Sequence, residues 1–113
     1  MQMEGGRSGL LNPWERIFRC IGEASALEML AEEAAELSAA ALKAARILRG
    51  ENPARIDYPE AMHEVIDELG DTLNAANVLG SGLMPDGRLV DPSAMDAKMK
   101  RWYDSLFGGD SHG

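Results

Sequence analysis

AEEAAELSAAALKAARILRG, residues 31–50, is the stretch whose reading decides the fold. It is dense in Ala, Leu, Glu, Lys and Arg, the strongest helix formers, and carries neither Pro nor Gly before Gly50. It reads as helix. Yet its first half gathers Glu32, Glu33 and Glu36 with no basic residue beside them. Like charges three or four apart on a helix repel by roughly 0.2–0.5 kcal/mol per pair. Such a placement asks for a reason outside the helix itself.

Upstream, Ser25-Ala26-Leu27-Glu28 offers a capping box, so the pattern predicts a long helix over 25–49, ended by Gly50 with Asn52-Pro53 just beyond. Leu27, Leu30, Ala34, Leu37, Ala41, Ala45 and Leu48 recur at three/four spacing and are the expected core stripe. Glu33, Glu36, Ala40 and Lys43 form a second stripe, rotated away from it. Further back, Asn12-Pro13-Trp14-Glu15 is a helix start, predicting a short helix over 13–21 that Gly22 weakens. Downstream, residues 51–58 read as a loop and Pro59 opens a helix over 59–80, ended by Gly80-Ser81-Gly82. There Met62, Ile66, Leu69, Leu73 and Ala76 are the expected core stripe, while Glu64, Glu68, Asp71 and Asn74 share one face. A turn around Pro85-Asp86-Gly87 precedes a last helix, started by Asp91-Pro92-Ser93 and running over 93–107. The ends, 1–11 and 108–113, read as flexible tails. The expected architecture is all-α: an antiparallel helical hairpin with short flanking helices, one domain across residues 1–113.

Composition agrees. Of 113 residues 45% are hydrophobic, but only 5% are aromatic, and Ala, Leu and Met make up most of the apolar mass. That palette suits closely packed helices. Apolar positions on more than one stripe leave surface that one small subunit cannot cover, so a homo-oligomer is expected. The net charge of −8 is unfavourable for a nucleic-acid backbone, which asks for clustered Lys and Arg. A phosphorylated small molecule stays possible if a divalent cation lies between the two negative partners. The single cysteine, Cys20, allows no internal disulfide and reads as a small core residue in a reducing cytoplasm. No secretory signal pattern opens the chain, and no run approaches the ~18–20 apolar residues of a membrane span.

The acidic cluster has a counterpart. Glu33-Ala34-Ala35-Glu36 is E-x-x-E on the first long helix, and Glu68-Leu69-Gly70-Asp71 is E-x-x-D on the second. A spacing of three puts both carboxylates of each motif on one face, one turn apart. In a hairpin the two motifs lie at similar height, so their four carboxylates can meet. Left alone they repel; either some are protonated or a cation is present. An all-oxygen set favours Mg²⁺, or Mn²⁺, over zinc. Close approach of a neighbour accounts for Gly70, which otherwise weakens the helix. The plainer reading is a solvated acidic face that complements the macrodipole, with Lys43, Arg46 and Arg49 at the opposite end.

ALEMLAEEAAELSAAALKAARILRGENP followed by HEVIDELGDTLNAANVL resembles the MazG-like all-α nucleoside triphosphate pyrophosphohydrolases, over about residues 22–80. The resemblance implies antiparallel helices assembled into a homodimer or homotetramer whose subunits share helices. It also implies Mg²⁺-dependent cleavage of a nucleoside triphosphate between the α and β phosphates, with Glu33, Glu36, Glu68 and Asp71 as metal ligands. Glu33 or its neighbour Glu32 is the candidate to activate the attacking water. Lys43 lies two turns beyond Glu36, in reach of a phosphate or of the helix C-terminus. Asn74, one turn beyond Asp71, is placed for a sugar or base, or for bridging helices. Lys98 and Arg101 are similar to basic residues that the family carries late in the chain, placed to bind phosphates from a neighbouring subunit. Trp14, Trp102 and Tyr103 are candidates to stack on a base or to fill an interface. Two rivals stand beside this reading: the related phosphoribosyl-ATP pyrophosphohydrolase of histidine biosynthesis, and a non-catalytic helical interaction module. Residues 37–67 are a long spacing between motifs, so the 50–58 loop reads as a lid or a spacer.

Overall fold

The computed structural model describes residues 12–51, 56–84, 86–87 and 89–108. Among them every regular element is helical: α1 (Pro13–Ile21), α2 (Glu23–Arg49), α3 (Tyr58–Leu83), α4 (Pro92–Tyr103) and a π-helical turn (Asp104–Gly108). The expected tails and most of the 51–58 loop lie outside the described residues.

Local chemistry explains most boundaries. Asn12 caps α1, its Oδ1 accepting from the Glu15 amide at 2.7 Å. Gly22, at φ +88, turns the chain within one residue, and its N–H closes α1 on Phe18 O. Because that turn is so tight, α2 begins at Glu23, and the Ser25 box lies inside the helix rather than capping it. Gly50, at φ +70, ends α2 with its amide on Ile47 O and the Glu51 amide on Arg46 O, a left-handed glycine stop. Asp57 and Glu60 form a reciprocal capping box at the start of α3. The far end of α3 departs from expectation. Gly80 and Gly82 do not stop it; the helix runs to Leu83. A side chain at position 82 meets the Phe18 ring, and one at 80 meets Gly87 O, so these glycines make room for neighbours.

The larger departure is in which faces meet. Glu33 O accepts from Thr72 on α3, and Lys43 pairs with Glu64, so the partner number falls along α3 as it rises along α2. Among the described residues the buried positions are Ala26, Ala40 and Ala44 on α2, with Ala61, Ala75, Val78, Leu79 and Gly80 on α3. Phe18, Met29 and Leu30 pack against Ala26, Val78 and Leu79. The stripe of Glu33, Ala40 and Lys43 therefore faces α3, while much of the expected core stripe points outward: Leu27 is 49% exposed and Leu48 67%. On α3, likewise, Ile66, Leu69 and Leu73 are exposed. Small side chains at the contact let the two backbones approach closely, and the large aliphatics are left on another side. Cys20 is also exposed rather than in the core, and among the described residues nothing lies within 4 Å of where a Gly70 Cβ would stand.

α4 packs on the π-helical turn and, among the described residues, on none of α1–α3. It buries no residue, and Met95, Met99, Trp102, Tyr103, Leu106 and Phe107 are all more than half exposed. The radius of gyration is 19.2 Å, against about 13 Å for a compact chain of this length. Among the described residues no helix is long and apolar enough to cross a membrane.

Candidate metal centre

Where α2 and α3 lie against each other, Glu33, Glu36 and Glu68 each place a carboxylate oxygen within 4.8 Å of the other two. Glu33 and Glu68 are half-buried because they sit on the stripes that face each other; Glu36, one turn along α2, is exposed at the rim. Glu33 Oε1 and Glu68 Oε1 are sealed from solvent and have no hydrogen-bond partner among the described residues. Acceptors so placed are rare in folded proteins and ask for an explanation.

The electrostatics follow. Burial is the largest cause that raises the Glu33 carboxyl above its ordinary value, followed by the charges of Glu36, Asp71 and Glu32. Glu68 is raised in the same way, first by burial, then by Glu36, Asp71 and Glu33, and last by a hydrogen bond with Glu36. Desolvation and crowding of like charge both disfavour ionisation. A cation among these oxygens reverses that sign.

Two hollows border the cluster. One, of about 390 Å³, is lined by Glu36, Ala39, Ala40, Lys43, Glu64, Asp67 and Glu68. At its wall Lys43 Nζ donates to Glu64 Oε1 at 3.2 Å. The other, of about 490 Å³, has apolar walls of Trp14, Ile17, Met29 and Val78, and a polar edge of Glu33, Asp71 and Asn74. Here Trp14 Nε1 donates to Asn74 Oδ1 at 3.2 Å, joining α1 to α3. That bond takes the Asn74 side-chain oxygen; its amide nitrogen is a donor.

The expected residues thus divide. Glu33, Glu36 and Glu68 come together. Asp71 stands outside the closest trio but lines the hollow beside Glu33, and its charge reaches both half-buried carboxyls. Lys43 and Asn74 each line one of the hollows. Glu32 is exposed, and bears on the cluster as the last of the charges acting on Glu33. Lys98 and Arg101 lie on α4, which packs on none of the helices that carry the carboxylates. Lys98 Nζ instead sits over the Trp102 ring, 5.5 Å from its centroid. Asp67, Glu64 and Thr72 are further residues at the site. Thr72 was visible only as a residue four beyond Glu68; its reach to α2 required the packing. No protein-family model, curated protein or solved structure matches the chain.

Proposed function

We propose that the chain is a Mg²⁺-dependent nucleotide pyrophosphohydrolase, of the MazG-like kind its motifs resemble. It cleaves a (deoxy)nucleoside triphosphate between the α and β phosphates to a monophosphate and pyrophosphate. One observation carries this reading: two sealed, unpartnered oxygens, Glu33 Oε1 and Glu68 Oε1, belong to a carboxylate trio within 4.8 Å. Acceptors without donors, crowded by like charge, fit a hard cation, and an oxygen-only set suits Mg²⁺ or Mn²⁺. Glu33, Glu36 and Glu68 are the residues to hold it, with Asp71 as the fourth carboxylate. When bound, the ion neutralises phosphate charge and makes water a better nucleophile.

The remaining tasks fall to the chain. Glu33, through a carboxylate oxygen that the ion does not take, is the favoured acceptor of the water proton, with Glu32 as the alternative. Lys43 faces the phosphates from one hollow, exchanging Glu64 for a phosphate oxygen. Trp14 and Asn74 hold the nucleoside in the other, the indole against a ring face and the amide on a polar edge. Along α2 these hollows extend from Met29 to Lys43, about 21 Å at 1.5 Å per residue. A nucleotide lying along the groove meets the carboxylates between its two ends.

The same reading includes assembly. α2 and α3 form an antiparallel hairpin within a single domain, and chains associate as a homodimer or homotetramer. Support comes from the exposed stripe of Ile66, Leu69 and Leu73 and from α4, whose apolar residues are exposed among the described residues. Lys98 and Arg101 then serve a neighbouring subunit's site. These exposed faces also favour a second reading, a helical oligomer without catalysis. Incubation with a panel of ribo- and deoxynucleoside triphosphates and phosphoribosyl-ATP, with Mg²⁺, separates them through pyrophosphate release. The expected result is release from a triphosphate that stops with chelator and with Glu36→Gln. Turnover of phosphoribosyl-ATP alone supports the histidine-pathway relative; a well-formed oligomer that turns over nothing supports the second reading.

A further inference from the structure

We propose that Thr72 is a positioning residue, which ties the backbone of Glu33 to that of Glu68 across the two helices through one hydroxyl. The inference rests on reading Glu33, Glu36 and Glu68 as a cation site. Thr72 Oγ1 lies 2.7 Å from Glu68 O and 3.1 Å from Glu33 O, in a partly buried setting. The shorter contact is a familiar one: a threonine in a helix donating to the carbonyl four residues back. The longer one is not local, because residue 33 belongs to the other helix. A hydroxyl carries a single proton, so the two carbonyls share one donor in a three-centre bond.

Its position gives it consequence. The two carbonyls belong to the residues whose sealed carboxylate oxygens lack partners. Once the backbones at 33 and 68 are held at a hydroxyl's separation, only side-chain rotation remains to place the oxygens. Without the tie, repulsion among Glu33, Glu36 and Glu68 pushes the helices apart at this level. Binding constellations tolerate errors of about 0.5 Å before they weaken. Sliding one helix past the other by a fraction of the 1.5 Å residue rise is enough.

The test is titration of chelator-treated protein with Mn²⁺ and with Mg²⁺ by calorimetry, together with far-ultraviolet circular dichroism. Thr72→Val keeps the shape and removes the hydroxyl; Thr72→Ser keeps the hydroxyl and removes the methyl. The expected result is Mn²⁺ binding weakened about 10- to 100-fold in Thr72→Val, the range typical when a supporting group is removed from a metal site. Thr72→Ser stays close to wild type. Equal affinity for Thr72→Val and wild type overturns the proposal while leaving the cation site standing, as does a Thr72→Ser variant as weak as Thr72→Val. So does a lower melting temperature with unchanged affinity, the mark of a merely structural role. If Thr72→Val does not fold, Thr72→Ala against Thr72→Ser isolates the same hydroxyl, and equal affinities there overturn the inference. Wild-type protein that binds neither ion removes the cation site, and this inference with it.

Discussion

Substituting Leu73 by glutamine tests whether the outward apolar stripe is an interface. Leu73 is 55% exposed in the single chain, beside Leu69 at 45% and Ile66 at 59%. Full burial of a leucine side chain is worth about 1.5–3 kcal/mol, so covering the exposed half of Leu73 contributes about 0.8–1.6 kcal/mol. A two-fold interface buries the same residue on both subunits. Leu73→Gln therefore costs association about 1.6–3.2 kcal/mol, a dissociation constant raised roughly 15- to 200-fold at 1.4 kcal/mol per decade. Glutamine is a good helix former, so α3 itself is undisturbed. Sedimentation velocity across a concentration series is the assay, with helix content followed by circular dichroism. The wild type is expected as a dimer or tetramer, and the variant as a population shifted toward monomer with unchanged helicity. A wild-type monomer at every concentration, or a variant that associates as well as wild type, refutes the reasoning.

Four other outcomes are expected. In the monomer-shifted Leu73→Gln background, Gly70→Ala has open space around it and sits mid-helix, so it raises stability to urea by about 0.5–1 kcal/mol; Gly82→Ala meets the Phe18 ring and lowers stability by about 1–3 kcal/mol, and matching signs for the two refute this packing. Glu33 and Glu68 are raised from 4.5, so the folded chain binds more protons than the unfolded one above that pH. Their contribution to metal-free stability is thus full at acidic pH and lost as pH rises through the folded-state values; melting in chelator from pH 4.5 upward shows it, and the slope flattens in Glu33→Gln/Glu68→Gln. Glu36→Gln melts higher than wild type in chelator and loses the response to added Mg²⁺, because it removes repulsion and a ligand together. Lys43→Ala changes stability by less than about 1 kcal/mol, as its pair with Glu64 is solvated, but raises KM for triphosphates; an unchanged KM removes Lys43 from the phosphate site.

Much of the site was legible before any coordinates, because two carboxylates three apart on a helix share a face wherever that helix goes. E-x-x-E and E-x-x-D on consecutive helices named Glu33, Glu36, Glu68 and Asp71, of which the first three meet closely, and the start and stop signals at Asn12, Gly50 and Pro59 placed helix ends to within a few residues. Thr72 was not legible as a cross-helix tie, since its ordinary i−4 bond hides a second acceptor that only packing supplies. Gly80 and Gly82 misled for a related reason. Glycine in sequence suggests a stop, whereas here it yields space to Phe18 and to the turn at Gly87.

What residues 12–108 determine alone is helix, wherever the structure describes them in long runs, and the membership of each face: these are local matters of propensity, caps and a 3.6-residue period. Which face meets which is not local. Periodicity assigned the large aliphatics to the contact between α2 and α3, but alanines took it, and Glu33 and Glu68 with them. Close approach of two backbones selects small side chains at the contact, and no reading of one helix at a time contains that constraint. The same holds for α4: its sequence makes a helix, but no periodicity says where its apolar side finds cover, and among the described residues none of α1–α3 provides it.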